Sequence, residues 1–75
     1  MKMELHEKIR TVETDLKFLR EQREEAMELR EAIHKDAAYP LWKEQDEKVK
    51  KAEEDIMRKE RDLQLLQSRL QGSLF

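Results

Sequence analysis

The sequence predicts an all-α fold: an antiparallel two-helix coiled-coil hairpin that packs into a dimer or a four-helix bundle. Three observations predict it, namely the composition, two stripes of apolar residues with heptad spacing, and a break between the stripes around the only proline. Charged residues make up 45% of the 75-residue chain and hydrophobic residues 37%, with one glycine and no cysteine. This balance is typical of long helices and coiled coils. A chain of this length forms one structural unit with a small core.

The first stripe begins at Leu5, and its members follow one another at alternating steps of four and three residues. This is the spacing of a heptad repeat, which places the stripe along one side of a helix. Polar residues replace apolar ones in the stripe at Arg23 and Arg30. We therefore predict a first helix from about residue 2 to residue 35. Its apolar stripe consists of Leu5, Ile9, Val12, Leu16, Leu19, Ala26 and Ile33.

The only proline, Pro40, separates the two stripes. Proline has no backbone N–H to donate, it disfavours the α conformation at the preceding residue, here Tyr39, and it suits the first position of a new helix. The second stripe is also out of phase with the first, so one uninterrupted coiled coil is disfavoured. We predict a turn at residues 36–40.

A second heptad stripe follows the proline and predicts a second helix from about residue 41 to residue 71. Gly72 is suited to end this helix in a left-handed cap. Residues 72–75 then form a short tail. The stripe of this helix consists of Trp42, Val49, Ile56, Leu63, Leu66 and Leu70.

Folding the chain back on itself brings together residues whose numbers sum to about 75, and the two stripes then meet in register. We call the two stripes together the seam. A parallel coiled coil kinked at Pro40 is the rival arrangement, but it leaves this coincidence unexplained. The apolar pairs of the seam are Ile33 with Trp42, Ala26 with Val49, Leu19 with Ile56, Val12 with Leu63, Ile9 with Leu66, and Leu5 with Leu70.

Polar residues also enter the seam. The same register places Arg30 opposite Gln45 and Leu16 opposite Lys59. A lysine tolerates such a position when its aliphatic stem lies on apolar surface and its amine reaches water. We expect Lys59 to lie across the seam in this way.

Apolar residues outside the seam indicate a surface for association. Phe18, Leu29, Leu41 and Leu65 occupy heptad positions that lie on the same side of an antiparallel pair, and we call this set the lateral face. A two-helix core is thin and gains most from additional helices, so we interpret the lateral face as a protein-binding surface. At the turn, Trp42 is expected to close the end of the seam, and Tyr39 is a candidate recognition tip.

The sequence contains no constellation of residues that indicates an enzyme, a cofactor, a metal or a small-molecule substrate. His6 and His34 lack the spacing of a metal-binding pair. Sixteen basic residues against eighteen acidic ones give a charge of −2, which does not favour nucleic acid. The chain also has no apolar run that could span a membrane or serve as a signal peptide. We expect an intracellular, cytoplasmic protein.

These observations predict a structural module that assembles proteins. Our first hypothesis is an oligomerisation coiled coil that forms a homodimer through the lateral face. The start at Met1 suits an N-terminal arm of a larger protein. The alternative is a monomeric helical adaptor that binds a partner, such as a small GTPase or another coiled coil, through the lateral face or the Tyr39 tip.

Overall fold

The computed structural model describes residues 4–70, and these residues form two helices, α1 (Leu5–Ala32) and α2 (Tyr39–Leu70). The helices pack against each other along their length. They run in opposite directions, because Asp15 near the middle of α1 bonds Lys59 of α2, whereas Arg30 at the end of α1 bonds Asp46. The prediction of an all-α helical hairpin is confirmed.

Helix α1 is shorter at both ends than the predicted range of residues 2–35. Glu4 is extended, with φ −65° and ψ 150°, so the helix begins at Leu5. Ile33 is also extended, with φ −91° and ψ 131°, and its N–H donates to the carbonyl of Arg30. An extended residue directs the chain away from the α1 axis and toward α2, which lies one helix spacing of about 8–10 Å away. The helix therefore ends at Ala32.

The turn occupies residues 33–38 rather than the predicted 36–40. The carbonyl of His34 accepts hydrogen bonds from the N–H groups of Ala37, at 3.1 Å, and Ala38, at 2.9 Å. These bonds satisfy backbone groups that the chain reversal would otherwise leave unpaired. The reversal is therefore complete before Pro40 is reached.

Helix α2 begins at Tyr39, two residues before the predicted residue 41. The expectation that Pro40 would exclude Tyr39 from the helix is wrong. Pro40 lies in the first turn, where backbone N–H groups have no helical acceptor and the lack of one costs nothing. The first bond of the helix runs from the Trp42 N–H to the carbonyl of Ala38, at 3.0 Å. The predicted Gly72 cap and the tail lie outside the described residues.

The core is a single line of apolar side chains between the helices. Leu16 is the most deeply buried, at 1% exposure, and no polar or charged residue is buried in the described part of the chain. The buried residues are Ile9, Leu16, Ala26, Val49, Ala52 and Ile56.

The remaining residues assigned to the seam are less covered. Partly exposed are Leu5, Val12, Leu19, Ile33, Trp42, Leu63 and Leu66. Leu70 is the most exposed of the residues assigned to the seam, at 42%. It lies opposite the beginning of α1, at the end of the described hairpin. The core is therefore deepest near the middle of the hairpin.

Candidate protein-association surface

All four residues of the lateral face are exposed. The exposed fractions are 61% for Phe18, 48% for Leu29, 57% for Leu41 and 60% for Leu65. Each residue occupies a helix position beside the seam positions, so its side chain emerges next to the interhelical contact rather than within it. Large apolar side chains with this exposure gain free energy when another surface covers them.

Shallow grooves between the helices follow the same side of the hairpin. One is lined by Leu29, Gln22 and Lys51, together with other residues of both helices. The next is lined by Phe18 and shares Leu19 and Asp55 with the first.

A third groove, lined by Val12, Leu65 and Leu66, lies toward the end of the hairpin opposite the turn. Together these grooves form an open, elongated surface rather than an enclosed pocket. A surface of this shape differs from the enclosed cleft that typically holds a small molecule.

Charged side chains border the lateral face. Lys59 Nζ lies 3.3 Å from Asp15 Oδ2, so its amine is paired across the helices. The sequence had suggested instead that this amine would reach only water. The second groove also contains Asp55 and Arg58, which pair at 3.5 Å. The apolar residues are thus flanked by charges of both signs, the usual arrangement of an interface with an apolar centre and a polar rim.

The opposite side of the hairpin is less apolar. Met57 is 64% exposed there, beside an ion pair in which Arg20 Nη2 lies 3.0 Å from Glu60 Oε2. Met27 is partly buried. In the described residues, large exposed apolar side chains are therefore concentrated on the lateral face.

At the turn, the two aromatic rings stack on each other. The ring centroids of Tyr39 and Trp42 are 6.1 Å apart, with an interplanar angle of 20°. The ammonium group of Lys35 lies 4.5 Å from the centroid of the Trp42 ring, within range of a cation–π interaction. Trp42 is partly buried and Tyr39 is 49% exposed. Tyr39 is therefore the more exposed of the two aromatic residues at the tip.

A charged cluster links the helices near the turn. Arg30 Nη1 lies 2.7 Å from Asp46 Oδ1, and Lys50 Nζ lies 3.2 Å from Asp46 Oδ2. The hydrogen bond from Arg30, with a further contribution from Lys50, lowers the pKa of Asp46 below its usual value. The sequence register placed Gln45, not Asp46, opposite Arg30. Gln45 instead turns inward, where its buried Oε1 accepts no hydrogen bond from the protein.

Within residues 4–70, no group of three or more His, Asp and Glu side chains is placed to hold a metal ion. Over the same range, neither helix is long and apolar enough to cross a membrane. His6 and His34 are both exposed, and they lie far apart, His6 in the first turn of α1 and His34 in the turn between the helices. The surfaces that distinguish this hairpin are thus the lateral face, the aromatic tip and the Arg30–Asp46 cluster.

Comparison of the chain with protein-family models, curated proteins and solved structures gives no match. The features that bear on function are the lateral face, the aromatic tip and the Arg30–Asp46 cluster. Of these, the lateral face has the most exposed apolar residues, and three of them, Phe18, Leu29 and Leu65, line interhelical grooves.

Proposed function

We propose that this hairpin is a structural module that assembles proteins by self-association through the lateral face. The observation that carries the proposal is the grouping of Phe18, Leu29, Leu41 and Leu65, all about half exposed or more, on the side that carries the interhelical grooves. In this proposal the seam acts as an antiparallel coiled coil, and two copies form a four-helix bundle. The module has no catalytic role.

The energetic argument begins with the size of the core. Only a few apolar side chains are buried in the hairpin, and two of them are alanines, Ala26 and Ala52. So small a core supplies only a few kcal/mol of net stability. Full burial of one exposed Leu or Phe side chain contributes about 1.5–3 kcal/mol. A second layer of helices over the lateral face would thus add stability comparable with that of the hairpin itself.

Sedimentation equilibrium tests this proposal. We expect the wild-type chain to dimerise at micromolar concentration and Phe18→Glu to raise the dissociation constant at least tenfold, because it places a charge in an apolar contact. Met57→Glu is the matched control: Met57 is 64% exposed on the opposite side, and its substitution should leave the dissociation constant unchanged. Circular dichroism verifies that both variants remain helical. A wild-type chain that stays monomeric at high micromolar concentration would refute self-association.

The second candidate function is a monomeric adaptor that binds a different protein. The exposed Tyr39, held by its stacking on Trp42, favours this candidate, because a rigid aromatic side chain at a tip is a common anchor in protein recognition. A monomeric wild-type chain in the sedimentation experiment would favour the adaptor. Loss of a captured partner in Tyr39→Ala, with retention in Met57→Ala, would locate its contact at the tip.

A further inference from the structure

The lateral face has an internal two-fold pattern. The point midway between Phe18 and Leu29 falls between residues 23 and 24 of α1, and the point midway between Leu41 and Leu65 falls at residue 53 of α2. These two points lie side by side in the hairpin, because the central groove is lined by residues 22, 25 and 26 of α1 and residues 51, 52 and 55 of α2. The four apolar residues are therefore arranged symmetrically about one position on the face.

From this pattern we infer that the occupant of the lateral face is a second copy of the chain, turned end for end; the inference rests on the self-association proposed above. A two-fold axis that crosses the face at residues 23–24 and 53 places Phe18 opposite the partner's Leu29 and Leu41 opposite the partner's Leu65. Each contact occurs twice, as an isologous dimer requires. The two turns then lie at opposite ends of the dimer.

A parallel dimer, with both turns at the same end, fits the face poorly. Residues of α1 and α2 whose numbers add to about 76, as those of Arg30 and Asp46 do, lie at the same height in the hairpin. In a parallel dimer α1 of one copy covers α2 of the other at equal height. Phe18 would then face the partner's Arg58, and Leu65 would face the partner's Thr11. The apolar side chains would thus lie on polar ones.

The dimensions of the hairpin allow such a dimer. The chain measures 57 Å along its longest axis and 24 Å along the next. A stable protein interface requires about 800 Å² from each partner. A broad face of this length, covered along both helices, is large enough to provide that area.

The charged residues around the axis distinguish the end-for-end dimer from the parallel dimer. In the end-for-end dimer Lys51 faces the partner's Asp55, an attractive pair close to the axis. Further out, Lys48 faces the partner's Arg58, a pair of like charge. Like charges opposite each other weaken association, so reversing the charge at position 48 should tighten this dimer. In the parallel dimer Lys48 lies at the height of Glu28 in α1 of the partner, so the same reversal should weaken it.

Spin-label distances provide the direct test, and the absence of cysteine allows a single label per chain. We expect nitroxides on the full-length Asp36→Cys variant, in the turn, to lie about 40 Å apart in the end-for-end dimer, given about 1.5 Å of rise per residue from the axis. The parallel dimer instead predicts about 10–20 Å, one or two helix spacings. A label on Glu21→Cys, exposed on the outer side of α1 near the axis, should respond in the opposite sense. We expect about 10–20 Å in the end-for-end dimer, where α1 faces α1 of the partner, and about 30 Å in the parallel dimer, where the two labels lie on opposite sides.

Sedimentation equilibrium of Lys48→Glu provides the second readout. We expect its dissociation constant to fall roughly three- to tenfold, because two like-charge contacts become attractive. A dimer with a short Asp36→Cys distance, or one that Lys48→Glu weakens, would overturn the end-for-end arrangement and leave the proposed self-association intact. Absence of any intermolecular distance at both labels, with a monomeric wild-type chain, would overturn both proposals.

Discussion

Arg30 donates a hydrogen bond from Nη1 to Oδ1 of Asp46 at 2.7 Å and thereby joins the last turn of α1 to the first turns of α2. The two side chains are only 24% and 15% exposed, less than those of every ion pair in the described residues that does not include Asp46. Partial burial reduces screening by water, so this pair contributes more to stability than a pair on the open surface. It lies next to the turn, where it holds the two helices at a fixed height relative to each other.

Replacement of Asp46 should make the hairpin less stable in a pH-dependent manner. The pKa of Asp46 is lowered in the folded state, chiefly by the Arg30 hydrogen bond. The contribution of this carboxylate is therefore fully present above the unfolded pKa of about 3.8 and is lost as the pH falls through the lower folded pKa. Urea unfolding of the wild type and Asp46→Asn should differ at about pH 6, and the difference should shrink as the pH falls below about 3.8.

Glu44→Gln is the control for Asp46→Asn. Glu44 pairs with Lys48 at 3.7 Å, and both side chains are more than half exposed. Its replacement should change the free energy of unfolding little over the same pH range. Equal losses in Glu44→Gln and Asp46→Asn at about pH 6 would show that partial burial of the Arg30 pair has no effect.

Replacement of Gln45 by leucine should stabilise the hairpin. The buried Oε1 of Gln45 accepts no hydrogen bond from the protein, and an unsatisfied buried polar atom costs about 1–3 kcal/mol. Leucine has a similar size and would extend the apolar core toward the turn. We expect Gln45→Leu to raise the free energy of unfolding by about 1–2 kcal/mol in urea titrations. Gln64→Leu, at an exposed position of α2, should have little effect, and a loss of stability in Gln45→Leu would contradict the prediction.

Truncation of Leu16 should unfold much of the population. Leu16 is the most buried large residue, at 1% exposure, and Leu→Ala changes in cores cost about 2–5 kcal/mol. This is comparable with the total stability of so small a fold. Circular dichroism of Leu16→Ala should show a large loss of helix at 25 °C, whereas Met57→Ala, at a 64% exposed position, should remain folded. Full retention of helix in Leu16→Ala would mean that the core contributes less than its burial indicates.

The contact between Lys35 and Trp42 should be visible by fluorescence. Trp42 is the only tryptophan, and the Lys35 ammonium lies 4.5 Å from the centroid of its ring. We expect Lys35→Gln to change the emission of the folded chain and to reduce stability by about 0.5–1 kcal/mol, because the cation–π interaction is lost. Lys43→Gln, one residue after Trp42, is the matched control and should change neither. Identical spectra for the wild type and Lys35→Gln would argue against the contact.

The hairpin could be predicted from the sequence because two independent features agreed. The apolar stripes meet only if the chain reverses, and Pro40 favours a break in the helix between them. The location of the turn was less predictable. Ile33 continues the apolar stripe of α1, yet its backbone is extended, and heptad spacing alone carries no information on where a helix gives way to a turn.

The interhelical ion pairs were not predicted for a different physical reason. Heptad register assigns neighbours by height, but Arg and Lys side chains are long enough to reach the next residue along the facing helix. Arg30 thus bonds Asp46 rather than facing Gln45, and Lys59 bonds Asp15. Exposure of the lateral face, by contrast, follows from heptad position. What binds there does not follow from that position, since an exposed apolar side chain is compatible with several partners.

The low burial of the C-terminal part of α2 has a mechanical consequence. Beyond Ile56, residues 57–70 of α2 include no buried side chain, although Ile9 and Leu16 are buried on the facing part of α1. Backbone amides of residues 57–70 should therefore exchange with solvent earlier than those around Val49. Leu65 lies within this less buried segment of α2. Any molecule that captures Leu65 would therefore also stiffen the segment, so that binding strength and rigidity rise together.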